Sequence, residues 1–166
     1  MLTLGVDPGT ARCGYGLVAG DRDLRAADFG CITTGPRDPL GTRLAIIRDA
    51  LTDLFASHDI TQVALERLGH ARTLTSAMHV SHVCGLVHLV AADHGLTVEE
   101  YSPPEIKLAV AGYGGADKRA VQTMVQRLLD LTAPPTPDHA ADALAVAMCH
   151  VHSREARALE RAVGSR

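Results

Sequence analysis

The sequence predicts a mixed α/β domain, a five-stranded sheet covered by helices on both faces. Three observations carry that prediction. The first 35 residues hold three short apolar, strand-like segments separated by glycine- or acid-rich turns. After Pro39 the apolar period changes from that of a strand to that of a helix. Two further strand-like segments are then interleaved with helical ones, giving the order β-β-β-α-β-α-β-α-α-α.

The elements follow in turn. LTLGVD sets Leu2, Leu4 and Val6 against Thr3, Gly5 and Asp7, an alternation that suits a half-buried strand. RCGYGLVAG and LRAADFGCITTG lie close behind it, so the three read as an antiparallel meander. From Pro39 to about His58, the residues Leu40, Leu44, Ile47, Leu51, Leu54 and Phe55 mark one face of an amphipathic helix. ITQVALE is a strand apolar enough to be covered on both faces, and it ends in Glu66. RLGHART is polar and irregular. A long apolar helix runs from about Leu74 to His94, with Gly95 as its stop signal. Its apolar circumference suits a helix that faces its own sheet on one side and a partner on the other. TVEEYS is the last strand, and Pro103-Pro104 opens a short helix through Lys107. AGYGG is a loop, Asp117 is the N-cap of the next helix, and LTAPPTP is a stiff connector. Asp138 opens the final helix, HAADALAVAMCHVH. No linker or repeat interrupts residues 1–152, which form one domain; 153–166 is a charged tail expected to fray.

Composition narrows the class. Hydrophobic residues make up 46% of the 166, yet aromatics only 3%, so the core is built from Ala, Val, Leu and Ile. No apolar run reaches the roughly 18 residues of a membrane span, and no signal peptide opens the chain, which points to a cytoplasmic protein. Cys13, Cys31, Cys84 and Cys149 form no CxxC pair and read as buried reduced thiols. Among the nine histidines, His79/His82 and His150/His152 suit packing or surface roles better than ligation. A formal charge of −3 argues against a general polyanion binder but leaves room for a local basic groove. The only lysines, Lys107 and Lys118, flank the glycine-rich AGYGGADK.

Four side chains interrupt apolar surroundings: Asp7 and Glu66 at strand ends, and His139 and Asp142 in the first turns of the last helix. Buried acids are costly unless paired or bound to a cation. One shared metal site explains the set more economically than separate compensations. Positions 139 and 142 lie roughly 60° apart on a helix, so both can address one point. The helix N-terminus favours the Asp142 carboxylate and keeps His139 neutral enough to ligate. Asp138 is four residues from Asp142, so geometry permits it as a ligand too, though N-cap is its more ordinary role. Alone, Asp7 would serve equally as the acid of an Asp-Pro-Gly turn. Carboxylates with one histidine suit Mg²⁺ or Mn²⁺. Two such ions about 4 Å apart activate water and stabilise the leaving oxygen in phosphodiester hydrolysis.

GVDPGT, LERL and HAADALAVA, with PPEIKLAVAGYGGADK between the last two, resemble the RuvC family of Holliday-junction resolvases from Leu2 to about His152. The resemblance implies a ribonuclease H-like fold and a homodimer. It also implies a metal-dependent endonuclease that nicks two strands of a four-way DNA junction symmetrically, in recombination and repair. Asp7, Glu66 and Asp142 match the family's metal carboxylates, and His139 its fourth ligand. Lys107 and Lys118 match phosphate-contacting positions, Lys118 near the chemistry. Arg67, His70, Arg72 and Arg119 join them as candidate DNA contacts. A branch-migration motor complex is a further partner the resemblance suggests. The chain departs from the family in having no aromatic just after Glu66, where some members stack on junction bases.

Other readings compete. The DxGT opening also fits ATPases of the actin and sugar-kinase class, but those need a second domain for which the length leaves no room. A ribonuclease H-like nuclease acting on RNA precursors is closer. A junction-binding protein without catalysis is a third, and the complete ligand set opposes it.

Overall fold

The computed structural model describes residues 1–68 and 73–164, and gives 155–164 in backbone alone. The meander is β1 (Leu2–Asp7), β2 (Arg12–Ala19) and β3 (Arg25–Thr33), followed by α1 (Leu40–Ser57) and β4 (Gln62–Glu66). Then come α2 (Leu74–Asp93), β5 (Val98–Tyr101), α3 (Pro103–Ala111), α4 (Lys118–Leu128) and α5 (Asp138–Gly164). The sheet order is β3-β2-β1-β4-β5. β1 pairs antiparallel with β2, and β2 with β3, while β4 is parallel to both β1 and β5. This is the mixed five-stranded sheet of the ribonuclease H-like fold.

Two apolar layers sandwich the sheet. On one face α1 and α2 bury Ile47, Leu51, Val83 and Val87 against Leu4, Val6 and Leu65. On the other, α3, α4 and α5 bury Ile106, Val125, Leu144 and Met148 against Val18 and Ala64. β4 is covered on both sides, with Val63, Ala64 and Leu65 all buried, as its unbroken apolar run predicts.

Local chemistry sets the helix ends. Thr73 caps α2 by accepting from the Ser76 amide, and Asp117 caps α4 by accepting from the Ala120 amide at 2.7 Å. Ser102 and Glu105 form a capping box for α3. That helix runs past the expected end at Lys107 to Ala111, where Gly112 turns off it at φ 84°. The backbone of α5 stays helical to Gly164, through the charged stretch for which the sequence predicts fraying.

Against the expectation that no segment has membrane-span length, α2 is long and apolar enough by length and composition. One face of it packs against the sheet, with Val83, Val87, Val90 and Ala91 buried. Cys13 and Cys149 are buried thiols, Cys31 and Cys84 half-buried ones.

Candidate metal centre

Strand register and helix packing bring the four predicted ligands to one edge of the sheet. Val6 pairs with Leu65 across the parallel β1–β4 ladder, so Asp7 and Glu66 emerge next to each other as the two strands end. Strand ends that converge beside a change in sheet direction are where open α/β sheets place their sites. α5 crosses over the same edge because glycines beneath it supply no side chains. A Cβ on Gly5 would lie 2.6 Å from the Ala147 amide nitrogen, and one on Gly16 would lie 2.8 Å from that of Leu144. A Cβ on Gly14 would collide with the His139 carbonyl oxygen. The first turns of α5 therefore rest on backbone, and His139 and Asp142 reach the strand ends.

Asp7, His139 and Asp142 each offer a ligand atom within 4.8 Å of the others, the three being half-buried. His139 Nδ1 hydrogen-bonds Asp7 Oδ2 at 2.7 Å. Glu66 stands outside that tight trio, near enough to Asp7 for the two carboxyls to influence each other. Asp138 stays out of it. The sequence makes Asp138 the N-cap, but it is already the first helical residue, and its carboxylate turns instead to α4. It accepts from Gln122 Nε2 at 3.1 Å and pairs with Lys118 Nζ at 3.3 Å.

The electrostatics are those of a site short of positive charge. Burial, then the charges of Asp7 and Asp142, push the Glu66 carboxyl up to about 8. Burial also raises Asp142, although Lys118 donates to it at 3.0 Å and opposes the shift. For Lys118 burial pulls downward, but Asp142 and Asp138 together outweigh it and hold the ammonium above its ordinary value. Hydrogen bonds from Gln122 and Lys118 lower Asp138. Three clustered carboxyls, one retaining its proton near neutral pH, with an imidazole beside them, fit a hard divalent cation.

A cleft of about 190 Å³ opens beside the trio. Glu66, Asp142, Lys107 and Lys118 line it, and Pro103, Ile106, Val121 and Ala145 form its apolar walls. Both lysines thus line the same cleft as the acids. Arg67 is turned toward β5, its Nε 3.5 Å from Glu100 Oε2. Arg119 faces a separate hollow with Tyr113, Thr123 and Met124. His70 and Arg72 lie outside the described residues. His150 bonds the Tyr101 hydroxyl and His152 the Ala109 carbonyl.

Sequence reasoning missed two features. The glycines under α5 had a signal, since strand glycines at 14 and 16 mark a close backbone approach. The pairing of Lys118 with Asp138 had none, being set only by how α4 lies against α5.

A family model described as crossover junction endodeoxyribonuclease RuvC matches residues 3–150. A protein of that name from Thermomicrobium roseum is 45% identical over 161 residues, covering 97% of this chain and 99% of the relative. Its counterpart in Heliobacterium modesticaldum is 46% identical, with 92% and 95% covered. Among solved structures, Thermus thermophilus RuvC in complex with Holliday junction substrate superposes with a TM-score of 0.88 at 33% identity, covering 93% of this chain and 94% of that one. The yeast mitochondrial Holliday junction resolvase, at 13% identity and a TM-score of 0.66 over 90% of this chain and 77% of its own, shares the fold.

Proposed function

The chain belongs to the RuvC family of crossover junction endodeoxyribonucleases, and from that premise we propose that it resolves Holliday junctions by hydrolysing DNA phosphodiester bonds in recombination and repair. The observation that carries the proposal is the convergence of Asp7, His139 and Asp142 within 4.8 Å beside Glu66, in a cleft that also holds Lys107 and Lys118. Asp7, Glu66, His139 and Asp142 would hold Mg²⁺ or Mn²⁺, two ions per site, which when bound supply an activated water and neutralise charge on the leaving oxygen. The chain's own residues do the rest. Lys118, beside Asp142, and Lys107, across the cleft, offer ammonium groups to the phosphate, and charge developing on its oxygens strengthens those contacts. The apolar walls limit water, which strengthens each of these interactions.

Junction symmetry calls for two such sites, so the working unit is a homodimer. It acts in the cytoplasm, in one nuclease domain of residues 1–152 followed by a charged tail. A branch-migration motor complex is a further partner, supported by family likeness alone. Arg67, Arg119, His70 and Arg72 extend the DNA surface in this proposal. Arg67 would have to leave Glu100 to do so, and an exposed pair of that kind costs little to break.

The test is Asp7→Asn assayed on a labelled four-way junction, with linear duplex and RNA–DNA hybrid alongside. The parent gives paired symmetric nicks in the junction alone. Asp7→Asn loses them with Mg²⁺, by roughly a thousandfold or more if the cation supplies most of the charge stabilisation, while junction binding survives. Normal cleavage by that variant would refute the site, and cleavage of the hybrid would favour a nuclease acting on RNA. Binding without cleavage by the parent would leave a junction-binding protein.

A further inference from the structure

On the nuclease reading just given, we infer that Asp138 and Gln122 are positioning residues for Lys118, holding its ammonium at the edge of the cleft once a cation takes Asp142. The geometry is a square of side chains on two facing helices. Lys118 and Gln122 lie four residues apart on α4, and Asp138 and Asp142 four apart on α5, so each pair shares one face of its helix. Lys118 Nζ sits 3.0 Å from Asp142 Oδ2 and 3.3 Å from Asp138 Oδ2. Gln122 Nε2 donates to the other oxygen of Asp138 at 3.1 Å. The two oxygens of Asp138 are thereby divided, one fixed by α4's amide and one turned to the lysine.

The two acids differ in setting. Asp142 belongs to the trio with Asp7 and His139 and its side chain is 28% exposed, whereas that of Asp138 is 65% exposed and outside the trio. Without a cation, Lys118 supplies the positive charge beside Asp142. A cation held by Asp142 would compete with the lysine for that carboxylate. A freed lysine has a flexible four-carbon stem and would scatter over many rotamers. Asp138 gives it a second acceptor already in place, and Gln122 keeps that acceptor aimed. The ammonium then stays beside the cleft that Lys107 also lines. An exposed ion pair with no such duty would be energetically near neutral, and the two cases separate in a double-mutant cycle.

Mg²⁺ binding to the DNA-free protein is measured by calorimetry for the parent, Asp138→Asn, Lys118→Met and the double variant. All the changed side chains are partly exposed, and thermal melting checks that each variant folds. Asp138→Asn is expected to weaken Mg²⁺ binding roughly two- to five-fold in the parent, the range of a partly exposed pair, and to change nothing in Lys118→Met. Single-turnover nicking of a four-way junction at saturating Mg²⁺ follows the same pattern, with junction affinity unchanged. An equal loss in both backgrounds would make Asp138 a general negative charge and overturn the inference. So would a parent indifferent to Asp138→Asn. A parent that nicks no junction strikes the nuclease reading, and nicking that survives Asp7→Asn strikes the site assignment; the Mg²⁺ titrations then judge Asp138 on their own.

Discussion

Glu66 shows how one side chain links the folding of the site to its chemistry. Its carboxyl is pushed up to about 8 from an ordinary 4.5, first by burial and then by Asp7 and Asp142. In the cation-free protein it therefore keeps its proton across a window in which the unfolded chain has lost it. The folded state binds more protons there, so stability falls as pH rises from about 4.5 to about 8. The slope approaches about 1.4 kcal/mol per pH unit at most. Thermal melting in EDTA between pH 5 and 9 checks the sign: the parent's melting temperature drops relative to that of Glu66→Gln, whose amide has no proton to lose. Adding Mg²⁺ above pH 8 removes the difference, because the cation replaces the proton as the charge the cluster lacks. Calorimetry in buffers of different ionisation heat should register proton release on Mg²⁺ binding near pH 7. Parallel melting curves for parent and Glu66→Gln would contradict this account.

Helix α5 places two of the four proposed ligands, and its seat on bare strand backbone is what makes the placement accurate. Gly14→Ala is the direct test. Its new methyl meets the His139 carbonyl oxygen, a backbone atom that no rotamer change can move. The substitution should destabilise the fold by about 1–3 kcal/mol, as overpacking does. It should also slow nicking by roughly tenfold or more, since small misplacements of reacting groups are costly. Gly41→Ala in α1, where an added Cβ meets nothing within 4 Å, should instead stabilise by about 0.5–1 kcal/mol and leave nicking alone. Chemical denaturation and a junction assay on both variants decide. Much of this element-level picture is legible in the sequence. The alternation in LTLGVD, the bare apolar run of QVALE and the i, i+3 spacing of His139 and Asp142 each encode their geometry locally. The less legible parts depend on packing between elements. Whether Asp138 or His139 joins Asp7 is decided by how α5 is rotated over β1 and β2. That Arg119 faces away from Lys118's cleft follows from the turn of one residue on α4. Arg67, written in sequence beside a ligand, is claimed by Glu100 from β5, 33 residues on.

At the scale of the whole molecule, α2 has more apolar surface than one chain can cover. Val83, Val87 and Val90 face the sheet and are buried. On the opposite side Leu74, Met78 and Leu89 are 78%, 55% and 57% exposed. They fall in one stripe with Ser81 and Gly85, because steps of four, three, four and four residues nearly close whole helical turns. Small residues in the middle of such a stripe let another backbone come close, and large exposed apolar stripes mark interaction surfaces. A two-fold pairing of this helix with its copy would cover the stripe and set two clefts in a symmetric relation, which paired nicks in a junction require. Met78→Glu with Leu89→Glu tests it. Both positions are exposed and away from the core, so the monomer's stability should shift by no more than about 0.5 kcal/mol per site. A buried pair of like charges repeated by symmetry should, however, split the dimer. Sedimentation then shows the parent as a dimer and the variant as a monomer with the same melting profile. On a four-way junction the variant loses coordinated nicking: the two strands are cut independently and slowly, or not at all, although Asp7, Glu66, His139 and Asp142 are unchanged. A variant that still sediments as a dimer, or a monomer that still cuts both strands in concert, would place the symmetry of the reaction elsewhere than on α2.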